Sequence, residues 1–255
     1  KGCDAVFHLA ALIGIPYSYV SPMAYIRTNV EGTYNVLEAA KNLYIKQVLV
    51  TSTSETYGTA QYTPIDENHP LVGQSPYSAS KIAADQLAIS YYTSFDLPVK
   101  IVRPFNTYGP RQSARAVIPT IIMQALSGSE SLKLGNLDPT RDLTFVEDTC
   151  NGFLEIYKSN NFFGEITNIG MNSEISMGEL AKEIMKIMKL EIPIVTDQSR
   201  LRPNKSEVDR LLCNNEKLMN NSSWKPSYSL NSGLSETVDW IQDNHQFYKS
   251  ELYHI

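Results

Sequence analysis

Tyr77 and Lys81 stand four residues apart in the segment Ser75-Pro76-Tyr77-Ser78-Ala79-Ser80-Lys81. On a helix that spacing puts both side chains on one face. An ammonium beside a phenol favours the phenolate and lowers its pKa. A phenolate available near neutral pH can take a proton from an alcohol. The pair alone proves little, because a chain with 15 Tyr and 14 Lys in 255 residues yields about 0.8 such spacings by chance. An amphipathic surface helix would carry the same two residues.

A second polar cluster supplies context. Thr51-Ser52-Thr53-Ser54-Glu55-Thr56-Tyr57-Gly58 directly follows the apolar Val48-Leu49-Val50. Apolar at every position, that run reads as a strand buried on both faces. Its polar tail then falls at the carboxyl end of a parallel strand, where open α/β sheets bind ligands. A carboxylate and several hydroxyls there can hold an alcohol and move protons. A Ser/Thr-rich turn is the plainer alternative.

The elements that must position these residues alternate. Residues 4–10, 47–53 and 99–106 read as strands, and residues 25–43 and 75–95 as helices, the second with Ser75 as N-cap and Pro76 in its first turn. Strands apolar on both faces, alternating with helices, predict a doubly wound parallel sheet of the α/β class. Beyond residue 113 a helix is expected over 116–128, strands near 132–135, 143–146 and 165–170, and helices over 177–190 and 229–245. No linker divides the chain. The expected units are residues 1–113 and a smaller α/β cap, 114–255, interleaved with the first near 147–171.

Composition narrows the function classes. Lys+Arg minus Asp+Glu is 22 − 27 = −5, which leaves no basic footprint for nucleic acid or an anionic membrane. The longest apolar stretch, AVFHLAALIGI, has 11 residues, against ~20 needed to span a bilayer. Three scattered cysteines exclude a disulfide framework and fit reduced thiols of the cytoplasm. The four histidines form no zinc motif, so no metal is expected. No two glycines lie two apart, so GxGxxG is absent. The first residues nevertheless read as an interior strand. The chain is therefore expected to begin downstream of a glycine-rich unit, by roughly 60 residues at ~30 per βαβ unit.

Taken in order, the segments resemble the extended short-chain dehydrogenase/reductases of the NAD-dependent epimerase/dehydratase family, with a Rossmann-like sheet. The matching residues are His8-Leu9-Ala10-Ala11, Asn29 with Gly32-Thr33, the TSTSETYG stretch, and Tyr77-xxx-Lys81. RPFNTYGPR (103–111), RDLTFVED (141–148), Asn168-Ile169-Gly170, and Arg202-Pro203 with Ser206-Glu207-Val208 complete the set. The resemblance implies a dinucleotide-binding first domain and a nucleotide-sugar-binding cap. Epimerases of the family usually carry small residues where Glu55 stands. Thr53-Ser54-Glu55 resembles the sugar-nucleotide 4,6-dehydratases, above all the GDP-mannose and legionaminic-type N-acetylglucosamine-nucleotide enzymes.

That resemblance implies NAD as cofactor and a UDP- or GDP-N-acetylglucosamine substrate, dehydrated to a 4-keto-6-deoxy sugar. Tyr77 would take the C4 hydroxyl proton, with Lys81 holding the nicotinamide ribose and keeping Tyr77 acidic. Thr53 would bind the C4 oxygen, Glu55 would take the C5 proton, and Ser54 would orient Glu55. Leu9, Ala10, Ala11, Asn29, Thr51, Pro104 and Asn106, together with Tyr77 and Lys81, would contact the cofactor. Asn29 reads more as a structural hydrogen-bonder than as a ligand, and for His8 a structural and a contact role are evenly matched. Asn106, Arg115, Arg141 and Arg202 would bind the diphosphate, and Glu207 the nucleotide ribose. A homodimer through helices 25–43 and 75–95 follows by analogy. A UDP-glucuronate decarboxylase, a 4-epimerase and a non-catalytic nucleotide-sugar binder are the alternatives.

Overall fold

A computed structural model describes residues 2–248. Its first half runs β1 (Ala5–His8), α1 (Ile15–Val20), α2 (Pro22–Tyr25), α3 (Gly32–Asn42), β2 (Gln47–Thr51), α4 (Pro76–Phe95), β3 (Val99–Pro104) and β4 (Asn106–Tyr108). There follow α5 (Val117–Leu126), β5 (Leu132–Leu134), β6 (Thr140–Phe145), α6 (Val146–Lys158), β7 (Ile166–Ile169) and β8 (Glu174–Ser176). The last are α7 (Met177–Met188), β9 (Ile194–Thr196), α8 (Glu216–Asn221) and α9 (Leu230–Asp243).

The main sheet is parallel, in the order β1-β2-β3-β7. Alternation along β2 shows why its residues are all apolar. Val48 and Val50 pack with Leu37 and Ala40 of α3 and Ala88 and Tyr91 of α4. Leu49, between them, packs with Phe153 and Ile156 of α6 and with Trp224. All three strand residues are fully buried, each contributing roughly 1.5–3 kcal/mol. β7 comes from the second half of the chain and sets Asn168 opposite Arg103 of β3.

Two smaller sheets, β4-β6-β8 and β5-β9, carry the second core. There Ile118, Ile121 and Ile122 of α5, Leu180 and Ile184 of α7, and Leu234, Val238 and Ile241 of α9 cover Leu132, Leu134, Leu143 and Phe145. Among the described residues no helix is long and apolar enough to cross a membrane, and Cys3, Cys150 and Cys213 are all free thiols.

The helix expected over 25–43 is not one helix. Pro22 starts α2, and a π-helical turn over Ile26–Glu31 joins α2 to α3. π turns insert a residue and redirect side chains, often beside functional sites. Here the turn carries Asn29, whose Nδ2 donates to Leu12 O and Ser80 Oγ, both at 3.0 Å. Its Oδ1 accepts from Leu12 N at 2.8 Å. Asn29 is buried with both ends engaged, so it clamps the loop after β1 to α4 and does not match a cofactor ligand. His8 likewise faces Thr33 Oγ1 at 3.1 Å. Asn29→Ala leaves two backbone groups of Leu12 unpartnered and should lower stability by ~1–3 kcal/mol in denaturant unfolding. An unchanged midpoint would remove the clamp.

Candidate active site

The site starts at the head of α4. Ser75 Oγ accepts from Ser78 N at 3.1 Å and Pro76 occupies the first turn, as the sequence predicts. This cap fixes Tyr77 one turn before Lys81, both facing inward and buried. The Tyr77 ring meets Tyr25 edge-on at 6.2 Å, and its hydroxyl bonds to Thr53.

Thr53 follows β2 and caps a 3-10 turn over Ser54–Tyr57 by accepting from Glu55 N at 3.3 Å. Gly58 ends that turn at φ +65°, where a Cβ would meet the Val72 carbonyl at 3.0 Å. Ser54 is buried in the turn, and Glu55 is only 8% exposed. The Glu55 carboxylate acts on both Tyr77 and Arg141. The 3-10 turn that carries Glu55 packs against α4, which carries Tyr77, at the carboxyl edge of the sheet.

The electrostatics differ from the expectation that Lys81 makes Tyr77 acidic. Burial pushes the Tyr77 hydroxyl well above its ordinary range, and Glu55, Asp85 and Tyr25 push the same way, against the Thr53 hydrogen bond. Lys81 directs its ammonium to Thr51 O at 2.5 Å, and burial lowers its pKa while Asp85 opposes that shift. Desolvation dominates both groups because each is sealed under the sheet edge.

A cleft of about 430 Å³ opens beside this spot, lined by Asn106, Gln112, Arg115, Arg141, Arg202 and Glu207 among others. Arg141 is 7% exposed and lies on β6. Its Nη2 is 3.5 Å from Glu207 Oε1, and Arg202 Nη1 is 3.4 Å from the same oxygen. Burial works against the charge of Arg141, and Glu55 and Glu207 support it. Arg115 is exposed on the rim. In the wall, Asn106 Oδ1 and Gln112 Oε1 are buried acceptors without a partner.

Leu9, Ala10 and Ala11 follow the end of β1, with Leu9 exposed, and Pro104 ends β3. Thr51 ends β2, where its Oγ1 is buried without a partner. The structure sets Thr53, Ser54 and Glu55 in the turn after β2, Tyr77 and Lys81 on the inner face of α4, and Asn106, Arg115, Arg141, Arg202 and Glu207 around the cleft. Leu9, Ala10, Ala11, Thr51 and Pro104 lie at or after the carboxyl ends of β1, β2 and β3, while Asn29 is engaged with Leu12 and Ser80. Sequence reasoning missed the strap that holds Arg202 and Glu207. Tyr19 Oη and Ser206 Oγ are 2.6 Å apart, Ser206 Oγ donates to Gln74 O at 2.7 Å, and Gln74 Nε2 donates to Glu207 O at 3.2 Å. Contacts across more than 130 residues leave no local signal.

A parallel sheet with a Tyr-x-x-x-Lys helix at its carboxyl edge and an arginine-lined cleft defines an extended short-chain dehydrogenase/reductase. The family model described as GDP-mannose 4,6 dehydratase matches residues 1–237, and the chain belongs to that family. The dTDP-D-glucose 4,6-dehydratase of Homo sapiens is 31% identical over 252 residues, 97% of this chain and 71% of that protein. The crystal structure of DesIV, a dTDP-glucose 4,6-dehydratase from Streptomyces venezuelae with NAD and TYD bound, matches with a TM-score of 0.89 at 29% identity. That match covers 98% of this chain and 76% of DesIV. The UDP-glucuronic acid 4-epimerase from Bacillus cereus, in complex with UDP-glucuronic acid and NAD, matches at 0.88 and 28% identity, over 96% and 76% of the two chains.

Proposed function

We propose that this chain is a sugar-nucleotide 4,6-dehydratase that uses NAD as a cofactor restored in each turnover. The observation that carries the reading is the convergence of Glu55, Thr53 and Tyr77 beside the cleft. Residues 1–113 would hold the cofactor and 114–255 would be mainly the cap, interleaved with the first unit near 147–171; residues 1 and 249–255 of these spans lie outside the described residues.

The sheet edge fits a nicotinamide dinucleotide. Lys81 gives one N–H to Thr51 O and keeps two donors for ribose hydroxyls. Thr51 Oγ1 is a buried acceptor without a partner, and Ala10 and Ala11 leave the backbone open to close approach. With these, Leu9, Tyr77, Pro104 and Asn106 would hold NAD, which when bound accepts and returns a hydride.

Tyr77 takes the proton of the sugar C4 hydroxyl. Thr53 donates a hydrogen bond to the C4 oxygen as it becomes a carbonyl. That carbonyl acidifies the C5–H, and Glu55 removes this proton. Glu55 then gives it to the departing C6 oxygen, which leaves as water. Ser54, where some dehydratases carry Asp, orients Glu55, so the one carboxyl serves as base and acid. Arg115, Arg141, Arg202 and Asn106 bind the diphosphate, and Glu207 accepts from the nucleotide ribose.

Arg141→Ala should raise KM about 10- to 100-fold while kcat changes far less, at about 1.5–3 kcal/mol for a hydrogen bond to a charged group. Steady-state kinetics decide this, and a fall in kcat at constant KM would displace Arg141 from ground-state binding.

The Ser54 triplet favours an N-acetylglucosamine nucleotide. A dTDP-glucose substrate is the second reading, supported by the names of the human relative and of DesIV. Incubation with NAD and UDP-N-acetylglucosamine, GDP-N-acetylglucosamine, dTDP-glucose or UDP-glucuronate separates the readings. A 4-keto-6-deoxy product supports dehydration. CO2 from UDP-glucuronate or a C4 epimer overturns it. The exposed Val20, Met23 and Ile26 of the α2 region support a homodimer, and sedimentation of the purified chain as a monomer would exclude one.

A further inference from the structure

Behind the site lies a dry ion pair that the proposed chemistry does not use. Arg103 Nη2 donates to Asp85 Oδ2 at 2.6 Å, and neither side chain has any exposed surface. Ser52 Oγ donates to the same oxygen at 2.5 Å, and Arg103 Nε reaches Ser52 Oγ at 3.4 Å. The guanidinium also stacks 4.5 Å from the centre of the Tyr57 ring, in the turn that carries Glu55. One carboxylate therefore ties α4 to the end of β2 and to β3, and its arginine reaches the Glu55 turn.

Stability alone gives little reason for this pair. Desolvating two charges is costly, and apolar residues of similar shape in their place commonly leave a protein as stable or more so. Even here Asp85 Oδ1 and Arg103 Nη1 are buried without partners. Position offers the reason. Tyr77, Lys81 and Asp85 follow one another at four-residue steps on the inner face of α4. Among the described residues, the Lys81 ammonium donates to one acceptor, the Thr51 carbonyl.

We infer that Asp85, held by Arg103 and Ser52, is a positioning residue that keeps Lys81 cationic and in register with the end of β2. The inference rests on the proposed role of Lys81 at the cofactor ribose. The charged and titratable groups around this face are His8 of β1, Tyr77 and Asp85 of α4, Glu55 of the 3-10 turn and Arg103 of β3. Of these, Asp85 is the one that supports the charge on Lys81 against burial. A carboxylate one helical turn away, in a site sealed from water, is screened little.

The test is an NMR titration of the full chain labelled with [13C]lysine, with Lys81→Arg assigning the Lys81 signal. Asp85→Asn should lower the Lys81 midpoint by about one pH unit or more, and Asp85→Glu should restore it. Should Asp85→Asn not fold, the double variant Asp85→Leu/Arg103→Met removes the carboxylate and its opposing counter-charge together, and the Lys81 midpoint should then fall in the same direction by a smaller amount, an unmoved midpoint counting against the inference. In the active protein the alkaline limb of kcat should move to lower pH by the same amount. A lowered melting temperature with an unmoved Lys81 midpoint overturns the inference and leaves a merely structural pair. The titration needs no substrate. A chain that shows the shift but dehydrates no sugar sinks the proposed function alone.

Discussion

Glu55→Gln is expected to fold normally and to stop formation of the 4-keto-6-deoxy product. The substitution keeps the shape of a side chain that is 8% exposed and removes only its charge and basicity. Its backbone N–H still donates to Thr53, and Arg141 keeps Glu207 as an ionic partner. Loss of a positioned base or acid lowers kcat by about 10²- to 10⁴-fold. KM should change little, because the lost interaction belongs to the transition state. Incorporation of solvent deuterium at C5 should vanish with turnover. A Glu55→Gln variant that forms the 4-keto-6-deoxy product at the parent's rate refutes the proton-transfer role of Glu55. One secondary effect follows from electrostatics. Glu55 is among the groups that hold the proton on Tyr77, so the neutral amide should shift the acid limb of any residual activity to lower pH.

The parts of this site that could be read from the sequence are those fixed locally. Ser75 and Pro76 start α4, and Val48-Leu49-Val50 forms a strand between two helical layers, because capping and periodicity act over a few residues. The short strands β4, β8 and β9 have three residues each, too few to carry a period. Helix α6 has no clear signal in the sequence although Phe153 and Ile156 are buried on its inner face. Its spacing was present but diluted by polar neighbours. Lys100 interrupts an apolar strand, yet its ammonium donates to the carbonyls of Ile156, Tyr157 and Ser159 near the end of α6. Partners more than 50 residues away cannot be inferred from spacing. Nor does spacing point to the partners 18 and 17 residues apart, Asp85 with Arg103 and Asn29 with Leu12, which meet only across separate elements. The resemblance placed Thr53, Glu55, Tyr77 and Lys81 in one site, whereas the state of their protons depends on burial, which only the assembled layers create.

Tyr77→Phe should remove activity as completely as loss of Glu55, for a different reason. The variant keeps the buried ring and its edge-on contact with Tyr25, and deletes only the hydroxyl bonded to Thr53. Stability should fall by no more than about 0.5–1.5 kcal/mol, the net value of one hydrogen bond. The rate should fall by about 10²- to 10⁴-fold, the contribution of a positioned general base. The pH profile of the parent chain sets the sign. A base works deprotonated, and the Tyr77 pKa is raised, so activity must increase as pH rises through that value, with the acid limb displaced to the alkaline side. Lys81 works protonated and its pKa is lowered, so activity must decline as pH rises through its value. Because Tyr77 is raised and Lys81 lowered, the productive pair of a Tyr77 phenolate and a charged Lys81 is a minor form, and the midpoints of the profile belong to the pair. Residual turnover in Tyr77→Phe should lack the acid limb, since no phenol remains to titrate. A Phe variant with the parent's rate and the same bell would assign proton abstraction to another group.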